Sequence, residues 1–136
     1  NLGQPVIALD AGFYVHALNG FPGTFTNFAL KTIGVDGILK LVEGKSRGCE
    51  FRHCLAYHDD RQGQPVCFES PVRGTLSMEP RGKSKPNQWS ELFLVFVQEG
   101  YTKTLAELTE EEDQRRKYEF YKNSYVSKFA EWFLGG

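Results

Sequence analysis

The apolar run Pro5-Val6-Ile7-Ala8-Leu9 stops at Asp10, and that pattern predicts a buried strand delivering one acidic side chain. Phe13 to Leu18 alternates and predicts a second strand, followed by turn chemistry from Asn19 to Gly23. From Phe25 to Val42 apolar positions recur at helical spacing in two pieces. Ile38, Leu39 and Val42 form the stripe of the second piece, with Asp36 expected to cap it and Gly44 to end it. Cys49, Phe51, His53, Leu55 and Tyr57 alternate along one face of a further strand. Val66 to Glu69 returns after a loop at 59–64, which predicts a hairpin. Pro71 is expected to interrupt the return, and Val72 to Met78 to form another strand. Glu79 to Gln88 is polar, and Leu92 to Val97 predicts a central strand. Thr109 and Glu112 have capping-box spacing before a helix that ends at Gly135. Tyr118, Tyr121, Tyr125, Phe129 and Trp132 lie at three- and four-residue intervals, the pattern of a core or dimer face.

The mixture predicts an α/β domain, α+β-like, with a mixed sheet, one long antiparallel hairpin and a C-terminal helix. Its 136 residues are expected to form a single domain, 1–136. A net charge of −1 gives no global field for nucleic acid, which is not an expected partner. No apolar window approaches a membrane span and no signal-peptide pattern is present, so no membrane partner and a cytoplasmic location are expected. Cys49, Cys54 and Cys67 are odd in number and lack a CxxC pair, which predicts buried free thiols.

Several groups admit two readings. Asp10 is a metal ligand or water-orienting carboxylate, or else a turn residue closing a strand. Gly20 to Gly23 cradles a phosphate, or simply turns the chain. Arg73, Arg81, Lys83, Lys85, Arg115, Arg116 and Lys117 gather around an anion, or form a solvated surface. His53 and His58 are five apart on a strand and face opposite sides, so with Asp59 and Asp60 they predict a hairpin tip rather than a metal centre.

Five segments occur in a telling order: Asp10-Ala11-Gly12, Ala17-Leu18-Asn19-Gly20-Phe21-Pro22-Gly23, and Gly34-x-x-Gly37-Ile38-Leu39-Lys40-Leu41, then Pro80-Arg81-Gly82 and Gly100-Tyr101-x-x-Thr104-x-Ala106-Glu107-Leu108. Together they resemble the inosine triphosphate pyrophosphatase family, from about Ile7 to Leu108. The resemblance implies hydrolysis of deaminated purine nucleoside triphosphates, inosine or xanthosine triphosphate, to monophosphate and pyrophosphate with Mg2+. It implies Asp10 as catalytic residue and metal ligand, Trp89 stacking on the base, and a homodimer. With the charge pattern it gives Gly20, Gly23, Arg81, Trp89, Arg115 and Arg116 as the expected substrate-binding set.

The sequence departs from the family pattern in four places. Leu9 stands where the family has a second acidic residue, and Ser90 where it has the aspartate of Phe-Gly-Tyr/Trp-Asp-Pro. Lys117, Tyr118 and Glu119 occupy its Ser-His-Arg positions, and its N-terminal Ser/Thr-x-Asn-x-x-Lys phosphate grip does not occur within residues 1–136. Two expectations follow: a magnesium-dependent pyrophosphatase, or an inactive protein of the same fold serving as a nucleotide/anion-binding or protein-interaction module.

Overall fold

A computed structural model describes residues 6–58, 66–85, 90–122 and 125–135. In chain order it contains β1 (Val6–Val15), β2 (Pro22–Gly23), α1 (Thr26–Thr32), α2 (Gly34–Leu41), β3 (Gly48–His58), β4 (Val66–Leu76), β5 (Phe96–Gln98), α3 (Glu110–Lys122) and α4 (Tyr125–Gly135). The five strands form one sheet in the order β2-β1-β3-β4-β5. The α/β class, the long β3–β4 hairpin and the C-terminal helical region are present as expected. Every described pairing is antiparallel, where a mixed sheet was expected. The two helices after β1 return the chain to the end of the sheet where β1 finishes, so Cys49 at the start of β3 pairs with Val15.

β1 runs unbroken through Asp10-Ala11-Gly12, where the pattern predicted two strands. Gly12 makes no turn. A Cβ there would lie 2.8 Å from the Gly23 carbonyl oxygen, so the glycine lets β2 approach. Pro71 likewise leaves β4 continuous. The Ser77 amide donates to Val95 and the Arg73 carbonyl accepts from Glu99, both on the outer side of β4. Alternation turns the Pro71 nitrogen to that same side, where β5 pairs only residues 74–76 and no ladder bond is lost.

The expected central strand at 92–97 is instead a 3-10 turn, Glu91–Leu94, followed by the short strand β5. Leu92, Phe93, Val95 and Phe96 are all buried, and a run buried on every side carries no period to separate strand from helix. The helix α2 starts at Gly34, so Asp36 sits in its first turn rather than at its cap. The Thr109–Glu112 capping box forms in both directions, at 2.9 and 3.1 Å. The expected C-terminal helix is described in two stretches, α3 and α4; residues 123–124 lie outside the described residues.

The core lies on one face of the sheet. Phe13, Val15, Cys49, Phe51 and Phe96 pack against Ile38, Leu39 and Val42 of α2 and against Leu92, Val95, Leu105 and Leu108. Phe51 stands 4.9 Å from Phe13 and 4.7 Å from Phe96, ring to ring. Farther along the hairpin, Tyr57 and Phe68 meet Phe129 and Trp132 of α4 at 5.4–5.8 Å. The predicted aromatic stripe therefore divides: Phe129 and Trp132 cover the sheet, whereas Tyr118 is 70% exposed. The side chains of Tyr121 and Tyr125 lie outside the described residues. No helix among the described residues is long and apolar enough to cross a membrane.

Candidate active site at the open edge of β1

The amide of Val15 donates to the Phe21 carbonyl at 3.3 Å, and that of Phe13 to Thr26 Oγ1 at 3.0 Å. Strand alternation turns the amides of Ala11, Leu9 and Ile7 to the same side. β2 pairs only Phe13 and Tyr14, so this outer half of β1 has no strand beside it among the described residues. Asp10 Oδ1 accepts the Ala11 amide at 2.9 Å and occupies one of these edge donors locally. Asp10 itself is exposed and faces Cys54 across the β1–β3 pair.

At the same edge lies a cleft of about 180 Å³ lined by Ala11, Gly12, Phe13, Thr24, Thr26, Asn27 and Phe51. Asp10 is not part of its lining, because alternation turns its side chain to the other sheet face from Ala11 and Phe13. Thr26 is buried; its hydroxyl donates to the Gly23 carbonyl at 2.6 Å while accepting the Phe13 amide. It thereby ties β1, β2 and α1 together. Thr24 and Asn27 are exposed at the cleft and offer a hydroxyl and an amide. Sequence reasoning missed all three because they read as the start of an ordinary helix.

The turn after β1 holds Asn19, Gly20 and Gly23 at φ +58°, +92° and +56°. The amides of Asn19, Gly20 and Phe21 donate to the carbonyls of His16, Val15 and Leu18 at 3.0–3.2 Å. These three donors are consumed within the turn, which leaves them out of reach of a phosphate. A Cβ at Gly23 would sit 3.3 Å from the Tyr14 ring, so this glycine lets the turn wrap that side chain.

The basic residues are spread out. Arg81 donates to the Thr102 carbonyl at 3.1 Å and lies 3.2 Å from the Glu107 carboxylate. Arg115 is exposed, 3.7 Å from Glu111. Arg116 is nearly buried and donates to Asp113 Oδ1 through Nε and Nη2, at 3.1 and 2.8 Å. It lines a different notch, about 580 Å³, with Ser70, Arg73, Gln98, Glu119 and Lys128. None of Arg81, Arg115 or Arg116 lines the cleft at the β1 edge, and neither does Asp10. Trp89 lies outside the described residues.

A second charged group occupies the same sheet face as Asp10. Glu50 accepts from Arg52 Nε at 3.1 Å and pairs with His16 Nε2 at 2.9 Å, while the Arg52 guanidinium lies 4.1 Å over the Tyr14 ring. Desolvation alone would raise the Glu50 pKa; the hydrogen bonds and charges of Arg52 and His16 outweigh it and hold the carboxyl low. Asp113 follows the same logic, burial opposed by Arg116 and Lys117. Among the three thiols, Cys49 is buried, with its pKa pushed up to about 12 mainly by desolvation. Cys54 is half-buried and Cys67 exposed, which corrects the expectation of three buried thiols.

Among the described residues no group of three or more His, Cys, Asp or Glu side chains could hold a metal ion. Asp10 offers one solvent-facing carboxylate. A hard divalent cation such as Mg2+ keeps several waters and takes one or two protein carboxylates together with substrate phosphates. The donor set therefore fits a cation that arrives with a phosphorylated substrate, and no cage of protein ligands.

This fold recurs in solved structures. The nucleoside-triphosphatase / dITP/XTP pyrophosphatase of Mycobacterium abscessus superposes with a TM-score of 0.72 at 27% identity, covering 86% of this chain and 63% of its own. The dITP/XTP pyrophosphatase of Methanopyrus kandleri is 39% identical over 98% of this chain and 67% of its own length. That of Thermococcus kodakarensis is 36% identical over 94% of this chain and 65% of its own. Residues 1–118 match the Ham1 family, and the chain belongs to that family. It spans about two thirds of the length of the relatives it matches.

Proposed function

We propose that the chain is a nucleoside triphosphate pyrophosphatase acting on deaminated purine nucleotides, with Asp10 at its centre. The observation that carries this reading is the position of Asp10. In a chain of the Ham1 family, it presents an exposed carboxylate at the open edge of β1, next in sequence to Ala11 of a cleft with polar groups at its mouth. In the reaction, the water oxygen bonds to the α-phosphorus, the bond from that phosphorus to the bridging oxygen breaks, and pyrophosphate leaves with the monophosphate as second product. Asp10 orients the water and accepts its proton. A divalent cation bound with the triphosphate neutralises charge on the phosphate oxygens. Thr24 and Asn27 supply neutral hydrogen-bonding groups at the edge of the same cleft.

The test offers purified protein inosine, xanthosine and the four standard triphosphates with Mg2+ and measures pyrophosphate. The expected result is preferential release from the deaminated nucleotides, reduced at least about a hundredfold by Asp10→Asn. No release from any triphosphate overturns the enzymatic reading.

The second reading is an inactive nucleotide-binding module, and one observation favours it. At the positions where the resembling family carries Ser-His-Arg, Lys117 is paired with Asp113 at 3.3 Å and Tyr118 points to solvent. A site that reads a purine carbonyl needs matched donors, and these are committed elsewhere or chemically different. Nucleotide binding by calorimetry without pyrophosphate release would select this reading. Under either reading the partner is a second copy of the chain, joined through the open edge of β1.

A further inference from the structure

Cys54 and Cys67 are thirteen positions apart in sequence, but the β3–β4 register brings them together. Cys54 pairs with Glu69 and Ala56 with Cys67, so the two cysteines are diagonal neighbours on one face of the hairpin. Burial raises the pKa of the Cys54 thiol, and the neighbouring Cys67, Glu69 and Asp10 add to the rise. Cys67 is exposed and Cys54 half-buried, whereas Cys49 is sealed in the core. Cys54 also stands directly opposite Asp10 on its other side.

We propose that Cys54 and Cys67 form a reversible dithiol–disulfide couple, a modification site open to low-molecular-weight disulfides such as oxidised glutathione. The exposed Cys67 thiolate attacks one sulfur of the small disulfide, forming a mixed disulfide and expelling one thiolate. The Cys54 thiolate then attacks Cys67 Sγ, closing the protein disulfide and expelling the second thiolate. Two cysteines are oxidised, one small disulfide is reduced to two thiols, and both thiol protons pass to solvent. The order follows from access: Cys67 meets the reagent, and Cys54, less exposed and flanked by Asp10 and Glu69, resolves it. The bond would cross-link the hairpin beside Asp10, giving that face two covalent states.

The experiment treats the full chain with oxidised glutathione, quenches in acid, and reads intact mass and non-reducing tryptic peptides. The sequence places the three cysteines on separate peptides: Cys49 on Gly48–Arg52, Cys54 on His53–Arg61 and Cys67 on Gln62–Arg73. The expected product has lost two hydrogens, joins the second and third peptides, leaves Cys49 free, and returns to the dithiol with dithiothreitol. In Cys54→Ser the expected product is glutathione retained on Cys67. A stable glutathione adduct in the wild type, a bridge to Cys49, a disulfide between two chains, or no reaction would each overturn the proposal. The readout is mass alone, so it does not depend on pyrophosphatase activity.

Discussion

Glu50 combines 10% side-chain exposure with two half-exposed partners, Arg52 and His16, and its charge is maintained by them rather than by solvent. Because the folded pKa is depressed, the stabilisation is present above the ordinary value of 4.5 and is lost as pH falls through the folded value. Glu50→Gln should therefore cost about 1 kcal/mol at neutral pH, limited by the exposure of both partners. Thermal melts of both proteins from pH 7 downward should show the gap closing below the ordinary carboxylate range. A gap that persists in strong acid would contradict the assignment. Asp10 is the opposite kind of residue, with an exposed carboxylate and a single local bond to Ala11. Asp10→Asn should change the melting temperature little while abolishing pyrophosphate release, so a large loss of stability would recast it as a structural residue.

Elements explain why the Asp10-Ala11-Gly12 motif is written as it is. Gly12 leaves room for the β2 backbone, and the nearest obstacle to a Cβ is a carbonyl oxygen that cannot swing aside. Gly12→Ala is expected to destabilise the fold by about 1–3 kcal/mol and to loosen the β1–β2 contact. Denaturant unfolding measures the first, and faster amide exchange at Phe13 and Val15 the second. Unchanged stability would mean β2 can retreat freely. This motif also marks the limit of what the chain discloses as sequence. The alternation of Cys49 to Tyr57, the two-piece helix and the Thr109 cap were legible because each is a local pattern. β1 was misread as two strands because an aspartate and a glycine together look like a turn. Asp10 caps an edge amide next to it, and Gly12 admits a strand ten to eleven residues away. Pro71 misled for a similar reason: only the sheet order reveals that its nitrogen faces an unpaired edge. Asp10 stood out in the sequence as a lone acid after an apolar run, and the structure shows it exposed on β1. Thr24 and Asn27 became visible only with the cleft, and Arg116 proved to belong to another surface.

At the scale of the whole molecule the sheet is asymmetric. One end of β1 is covered by β2 and α1, while Ile7 and Leu9 at the other end are 55% and 65% exposed along an edge of outward-turned amides. Phe25 and Phe28, each 68% exposed, add apolar surface on α1. An open, apolar strand edge is a template for pairing, and β1 lacks the lysines or prolines that natural edges use to discourage it between Val6 and Val15. A two-fold antiparallel contact centred on Leu9 would set Ile7 of one copy against Ala11 of the other and continue the sheet through both. The outward amides of Ile7 and Leu9 would find partners, that of Ala11 would exchange Asp10 Oδ1 for the Ile7 carbonyl of the other copy, and the Leu9 side chains would bury one another. Leu9→Lys places a charge in that contact and should convert a dimer to a monomer, with a melting temperature that no longer depends on protein concentration. Light scattering across a concentration series reads the change. A wild-type chain that is monomeric at every concentration, or a dimer that survives Leu9→Lys, would move the interface away from β1.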